Sequence, residues 1–182
     1  CGFGKIVFVI RKEFDQAFRD RFDKFKNKIT IKYVYQEVNP KVEGIITVER
    51  SKPWGTSHAV LVAKDVIQEP FAVINADDYY GADSYRLISD FLTNECSPSL
   101  MAMVGYTLYN TLSEYGTVNR GICEVDENNN LLEVIERTKI SEQNGGVYYN
   151  VGKEEAEGEV DRNSSVSMNY WGFHPSIFKE IE

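Results

Sequence analysis

The sequence predicts an α/β chain. Its first half reads as a mostly parallel sheet covered on both faces by helices, and its second half as strands joined by hairpins. Three observations carry this. Short apolar runs alternate with amphipathic stretches from residue 5 to residue 92, the order of βαβ units. One of those runs, Phe71 to Asn75, is almost continuously apolar, as a strand buried on both sides is. Beyond residue 100 the apolar runs are separated by turn formers, above all Asp126-Glu127-Asn128-Asn129-Asn130.

In chain order, Lys5 to Ile10 is the first strand. A helix over Glu13 to Phe25 follows, with Phe14, Phe18, Phe22 and Phe25 at helical spacing as an aromatic core stripe. Ile31 to Tyr35 and Gly44 to Val48 are the next strands. Thr56 to Ile67 is a helix capped by Thr56 or Ser57, burying Ala59, Val60, Ala63, Val66 and Ile67. After the Phe71 strand, a helix over Ser84 to Leu92 turns Leu87, Ile88, Phe91 and Leu92 inward. Met101 to Leu108 is a strand, and Gly121 to Val125 with Leu131 to Glu136 form a hairpin. Ser141 to Ser165, polar and rich in Gly and Glu, reads as a long excursion with a solvated acidic run. Ser167 to Phe173 is the last strand, and Pro175 opens a final helix. A single domain over 1–182 is expected. It begins abruptly at Cys1-Gly2-Phe3-Gly4 without an initiator Met and stops inside a helix, as an internal fragment would.

At 182 residues the chain is long enough for a real core, and 42% hydrophobic with 26% charged residues is a globular balance. A net charge of −8 excludes nucleic acid as the main partner, because that binding needs a basic surface. It leaves room for a small anion at a locally positive site. The three cysteines, Cys1, Cys96 and Cys123, are too scattered for a disulfide frame or zinc site, which predicts a reducing, cytoplasmic setting. Only two histidines are present, so a histidine metal cluster is not expected. No run is apolar enough to cross a membrane, and the first strand lacks the features of a signal peptide.

Two segments carry the chemistry. In Pro53-Trp54-Gly55-Thr56-Ser57-His58-Ala59, a glycine turn feeds a helix. Glycine lets a base or phosphate come close, and the helix start offers free N–H groups. In Phe71-Ala72-Val73-Ile74-Asn75-Ala76-Asp77-Asp78, an apolar strand stops on two carboxylates. Ligands collect at such strand ends, Ala76 leaves the backbone open, and Asp77 is a hard oxygen ligand suited to Mg²⁺ on phosphate oxygens. The plainer readings are a strand-to-helix connection and a turn capped before Asp83. Further along, Glu136 beside Arg137 pairs a carboxylate for sugar hydroxyls with a guanidinium for phosphate. Asn169 offers both donor and acceptor to a sugar. Trp171 reads equally as core or ligand wall, His58 as satisfying local hydrogen bonds, and Tyr79, Tyr80 and Tyr85 as wall or surface.

Taken in order, these residues resemble a sugar-phosphate nucleotidyltransferase, or nucleoside-diphosphate-sugar pyrophosphorylase. Gly55-Thr56-Ser57-His58-Ala59 is similar to the family's Gly-Thr-Ala-x-Ala element on the base, and Asn75-Ala76-Asp77-Asp78 to its Gly-Asp element. Tyr115-Gly116 resembles the Tyr-Gly that touches the sugar, and Ile135-Glu136-Arg137 the Glu-Lys pair, with Arg in place of Lys. The resemblance implies a three-layer sandwich with a mostly parallel, Rossmann-like (GT-A-like) nucleotide-binding sheet and a hairpin-rich sugar-binding half. It implies nucleotide contacts from Gly55, Thr56, Ala76 and Asp77, and sugar-phosphate contacts from Gly116, Glu136, Arg137 and Asn169. Asp77 and Arg137 would be catalytic, with Mg²⁺ on Asp77. The family's amino-terminal Gly-rich loop has no match here, so the chain is expected to be the central part of such an enzyme with little or no turnover alone. Arg50 stands where base-reading members often carry Gln, which leaves the base open, with UTP or dTTP favoured on family grounds.

The implied reaction joins a nucleoside triphosphate to a sugar 1-phosphate, giving a nucleotide-sugar and pyrophosphate. Two alternatives stand beside it. One is a metal-dependent glycosyltransferase using a nucleotide-sugar, with Asp77-Asp78 as its acidic cluster; the other is a catalytically silent regulatory domain of the same fold.

Overall fold

A computed structural model of the chain describes residues 2–39, 51–150 and 158–182. The strand expected at Gly44 to Val48, Arg50, and much of the acidic run after Ser141 lie outside the described residues. The chain divides into two compact units. The first comprises Cys1–Val73, Gly81–Ala102 and Gly172–Glu182, and the second Ile74–Tyr80 and Met103–Trp171.

The first unit opens with β1 (Lys5–Ile10), α1 (Asp15–Phe22) flanked by two 3-10 turns, and β2 (Thr30–Tyr35). β1 and β2 pair in parallel from Lys5↔Thr30 to Ile10↔Tyr35. Only the middle of the aromatic stripe turns inward, and it is half-buried. Phe18 and Phe22 pack on Phe8 at 5.4 and 4.6 Å between ring centres. Phe14 and Phe25, at the ends, are exposed and lie under the cations of Arg11 and Lys24. α2 (Thr56–Leu61) is shorter than the expected helix, because the chain tightens into a 3-10 turn at Lys64–Val66. Ala63 and Ile67 nevertheless reach the core, together with Phe71 of β3 (Phe71–Val73) and Phe178 of the terminal α4 (Ile177–Glu180). Phe71 stacks on Phe178 at 5.3 Å. α3 (Ala82–Asn94) buries Ile88 and Leu92. Leu87, expected inward, is 66% exposed, since it lies one residue off the stripe that Ile88 and Leu92 define.

The second unit is built from β4 (Ala102–Thr107), β5 (Val118–Val125), β6 (Leu131–Gln143), β7 (Gly146–Tyr149), β8 (Gly158–Glu159) and β9 (Ser165–Phe173). Strand order runs β9-β5-β6-β7-β8, with β4 also on β9. The core here is Leu108, Ile140, Val147 and Val166. The expected β5–β6 hairpin is present, but both strands are longer than expected. Its turn is held by Asp126, whose Oδ1 accepts the N–H groups of Asn128 and Asn130 at 2.9 and 2.7 Å, with Asn129 at φ +61°. Much of the stretch expected as an excursion after Ser141 is instead strand: the end of β6, then β7, β8 and the start of β9.

The mostly parallel sheet is a correction. β1–β2 is parallel, whereas β5–β6, β5–β9, β6–β7 and β7–β8 are antiparallel. The physical reason lies in connection length. Short links between β5, β6 and β7 permit only hairpins, while a parallel pair needs a crossover such as α1. Among the described residues no helix is long and apolar enough to cross a membrane.

Candidate functional site

β3 ends at Val73, and the chain turns through Asn75-Ala76-Asp77-Asp78 in the second unit. Tyr80 organises this turn. Its hydroxyl accepts the N–H of Asn75 at 3.0 Å and lies 2.9 Å from the Met168 carbonyl and 3.3 Å from Asp78 Oδ2. The hydroxyl has one hydrogen, and the shorter contact directs it to Met168. Asn75 Nδ2 donates to Asp78 Oδ2 at 2.9 Å. Tyr80 is only 3% exposed and packs on the ring of Tyr170. Burial, helped by the charge of Asp78, pushes its phenol up to about 12, so it stays a neutral hydrogen-bonding anchor. Asp78 is thereby oriented, while Ala76 and Asp77 form the exposed tip.

Beside this turn β5 and β9 come together and then part. They pair at Ile122↔Val166 and Gly121↔Ser167. Just beyond, Asn169 takes φ +59°, a left-handed conformation that Asn tolerates, and its N–H donates to Ser167 Oγ at 3.2 Å. The divergence opens a cleft of about 480 Å³. Asn75 and Asp78 line it from the turn, Asn119, Arg120 and Gly121 from β5, Val134 and Glu136 from β6, and Ser167 to Asn169 with Trp171 from β9. Gly121 is needed here, because a Cβ would stand 2.5 Å from Val134 Cγ1. Cys123 is buried, and burial pushes its thiol up, which leaves it protonated and unreactive.

Strand alternation separates the expected Glu136–Arg137 pair. Glu136 sits opposite Gly121 and lines the cleft. Arg137, one residue on, faces the other side, with its Cζ 4.5 Å over the ring of Tyr149. A bulge follows in β6, with Lys139 at φ +52° and its N–H donating to Asn119 Oδ1 at 2.9 Å. On β5, Arg120 stands directly opposite Arg137 in the ladder and so shares its side of the sheet, its backbone lying at the cleft edge between Asn119 and Gly121. Its Nε donates to Thr111 Oγ1 at 3.1 Å, one terminal nitrogen to the Thr111 carbonyl at 2.8 Å, and the other to the Asn119 carbonyl at 2.8 Å. Burial lowers the pKa of Arg120 below the usual guanidinium range, against the pull of Asp78.

In the first unit, Gly55 caps α2 in place of the expected Thr56 or Ser57, and no side-chain bond supports the cap. The space in front of Gly55 is open, with nothing within 4 Å of where a Cβ would stand. Gln36, which the sequence reading passed over, holds this turn. Its Nε2 donates to the Trp54 carbonyl at 2.9 Å and lies 3.0 Å from His58 Nδ1. His58 thus satisfies a local hydrogen bond, as its position after the turn led one to expect.

Of the residues expected from the sequence, Glu136 and Asn169 meet in the cleft. Ala76 and Asp77 sit on the turn between two cleft residues, Asn75 and Asp78, without lining it. Gly116 lies in an exposed loop after Tyr115, which is 96% exposed, and Arg137 is turned to Tyr149. Gly55 and Thr56 belong to the other unit. Asn75, Asp78, Asn119, Arg120 and Ser167 were not singled out as binding residues; Asp78 was legible as half of an acidic pair, and the others had no local signal. Among the described residues no group of three or more His, Cys, Asp or Glu side chains could hold a metal ion.

Comparison with known proteins gives three findings. The family model described as nucleotidyl transferase matches residues 1–181. The chain is 32% identical over 119 residues to the bifunctional protein GlmU of Methanococcus maripaludis, a match covering 63% of this chain and 25% of that protein. Its fold is similar to the crystal structure of HddC from Yersinia pseudotuberculosis, with a TM-score of 0.53 at 13% identity, over 97% of this chain and 59% of that one. The chain therefore spans about a quarter of the curated relative and somewhat under two thirds of the solved one.

Proposed function

The chain belongs to the nucleotidyl transferase family, and from that premise we propose that it serves transfer of a nucleotidyl group from a nucleoside triphosphate, UTP or dTTP, to a sugar 1-phosphate. The observation that carries the reading is the polar cleft beside the Asn75–Asp78 turn, with Glu136 and Asn169 together on its wall. A carboxylate and an amide with no protein partner among the described residues are suited to sugar hydroxyls. In the reaction, a phosphate oxygen of the sugar 1-phosphate attacks the α-phosphorus, the bond to the bridging oxygen breaks, and pyrophosphate leaves. The chain's part is to position both reactants: Gly55 and Thr56 at the base, Ala76 and Asp77 at the phosphates, and Gly116, Glu136 and Asn169 at the sugar, with Arg137 the catalytic cation that the family likeness implies.

Mg²⁺ fits the tip of the turn. Asp77 and Asp78 are adjacent, exposed hard-oxygen donors, and Mg²⁺ needs only one or two carboxylates when phosphate and water complete its shell. When bound it would supply charge neutralisation to the phosphates, with Asp77 as its ligand. The chain alone has little or no turnover on this reading, since no segment matches the Gly-rich loop that faces the leaving pyrophosphate.

The test is pyrophosphate release by the full-length gene product. It crosses sugar 1-phosphates with UTP, dTTP, CTP and GTP, with and without Mg²⁺, with Asp77→Ala as the control. Metal-dependent release that Asp77→Ala abolishes is the expected result. Silence across the panel from a folded protein refutes the reading, and sugar transfer from a nucleotide-sugar would replace it with the glycosyltransferase.

A further inference from the structure

We infer that Asn119 determines sugar specificity: its side-chain Nδ2 donates a hydrogen bond to one hydroxyl oxygen of the sugar in the cleft. The inference rests on the reading of that cleft as a sugar-phosphate site.

The ladder puts Asn119 on the cleft side. Gly121 pairs with Glu136 and Cys123 with Val134, and both Glu136 and Val134 line the cleft. Asn119 precedes Gly121 by two residues on the same strand, so its side chain shares that face. The extra residue of the bulge lies in β6, since two steps along β5 from Val118 to Arg120 match three along β6 from Ile140 to Arg137. Alternation along β5 is therefore unbroken at Asn119, which itself lines the cleft.

The bulge also fixes the sense of the Asn119 amide. Lys139, at φ +52°, turns its N–H onto Asn119 Oδ1 at 2.9 Å. Only the oxygen of a carboxamide accepts an N–H, so the group cannot flip without breaking that bond. Nδ2 is the end left for a ligand, and it has no partner among the described residues. Asn75, on the turn, is fixed in the opposite sense: its Nδ2 is on Asp78 Oδ2, which leaves Oδ1 to accept. The side-chain amide of Asn169 makes no hydrogen bond among the described residues and can turn either end to a guest.

The rest of the lining sets what Asn119 reads. Asp78 and Glu136 bring carboxylates, which accept hydrogen bonds. A sugar hydroxyl suits such a wall, because it gives its hydrogen to a carboxylate and takes one from Asn119 on its own oxygen. A carbonyl could only take one. A donor held in one sense also discriminates, since a sugar lacking the hydroxyl at that place leaves Nδ2 unmet. Asn169 adapts, whereas Asn119 selects.

The experiment is calorimetric titration of the full-length gene product with the 1-phosphates of glucose, galactose, mannose and N-acetylglucosamine. The tightest binder is then compared with analogues that each lack one hydroxyl, in wild type, Asn119→Asp and Asn119→Ala. Asn119→Asp keeps an oxygen for the Lys139 N–H and removes only the donor, so it separates reading of the sugar from support of the bulge. Its added charge acts on every analogue alike and cancels when analogues are compared. Both variants weaken the parent sugar phosphate about threefold or more, the size of one hydrogen bond. Deleting one particular hydroxyl costs wild type about fivefold or more, and that penalty shrinks about threefold or more in both variants, while the penalties at the other positions stay within about twofold of wild type. An asparagine that only supported the bulge would leave every penalty unchanged, and that result overturns the inference. So does a folded Asn119→Asp that binds the parent as wild type does. If Asn119→Ala does not fold, the penalties in Asn119→Asp decide alone. If neither folds, ¹⁵N spectra of wild type decide: Asn119 Nδ2–H signals that stay still as sugar phosphate saturates the protein overturn the inference. A wild type that binds none of the four sugar phosphates overturns both the inference and the reading of the cleft.

Discussion

The first unit pairs β1 and β2 in parallel and closes its core with aliphatic side chains and stacked phenyl rings, Phe71 on Phe178. The second unit is an antiparallel ribbon whose core of Leu108, Ile140, Val147 and Val166 is joined through Tyr106 to a buried polar network around Tyr80. The first keeps regular register along its parallel pair. In the second, regularity is interrupted where the cleft forms: at the bulge of β6, at left-handed Lys139 and Asn169, and where β5 and β9 part. The lesson is that a ligand site needs backbone and side chains released from their sheet partners. The interruptions supply them, because an unpaired strand end presents its polar groups to a guest.

The strongest way to break this comparison is at the turn that leads into the second unit. In the full-length gene product, Asp77→Ala should lower pyrophosphate release by about 10²–10³-fold or more, the size of loss when a group that stabilises developing charge is removed. Activity near wild type would move the reaction away from this turn. Next in size are the two cores. Phe71→Ala in the first unit should cost about 3–5 kcal/mol and Ile140→Ala in the second about 2–5 kcal/mol, each measured by urea unfolding. A negligible loss at either would mean that its unit is not held by the core described.

A finer probe uses two tyrosines. Tyr33 in the first unit donates to Asp23 Oδ1 at 2.8 Å, and burial together with Asp23 pushes its phenol up to about 12. Tyr80 in the second is pushed to about 12 as well, by burial and Asp78. A raised phenol pKa favours the folded state below pH 10, where both states are neutral. That advantage is lost as pH rises from about 10 to about 12, because the unfolded chain ionises first. Tyr80→Phe should cost about 1–3 kcal/mol at pH 7, since it strands the Asn75 N–H and the Met168 carbonyl. It should also flatten the alkaline loss of stability, as should Tyr33→Phe. Unchanged alkaline slopes in both variants would remove the tyrosines from the account. The smallest effect is at the surface. Lys5 Nζ lies 2.6 Å from Glu69 and holds its carboxyl below the usual range. The contribution is present above the ordinary carboxylate pKa and lost as pH falls through the lowered one. Glu69→Gln should cost at most about 1 kcal/mol at pH 7 and nothing in acid, read from melting temperatures across that range.

Much of this was legible locally. The apolar runs of β1, β2 and β3 announced themselves, as did the Asp126–Asn130 turn, the helical stripe of Ile88 and Leu92, and the acidic end after Val73. Glu136 and Asn169, both expected at the sugar, line one cleft. Asn119 carried no such signal, because a lone Asn before Arg120 has no local signature; its place in the cleft comes from the parting of β5 and β9.

The sequence by itself determined the order of elements, the alternation of apolar and polar positions, the tight turns and the membership of the nucleotidyl transferase family. These depend on neighbours a few residues apart. Tertiary structure alone decided that the hairpin strands run on into one sheet with β9, that Asp78 rather than Asp77 lines the cleft, and that Glu136 meets the cleft while Arg137 lies over Tyr149. Alternation puts adjacent side chains on opposite faces, but which face meets the cleft is set by strands distant in sequence, and by one bulge that shifts their register.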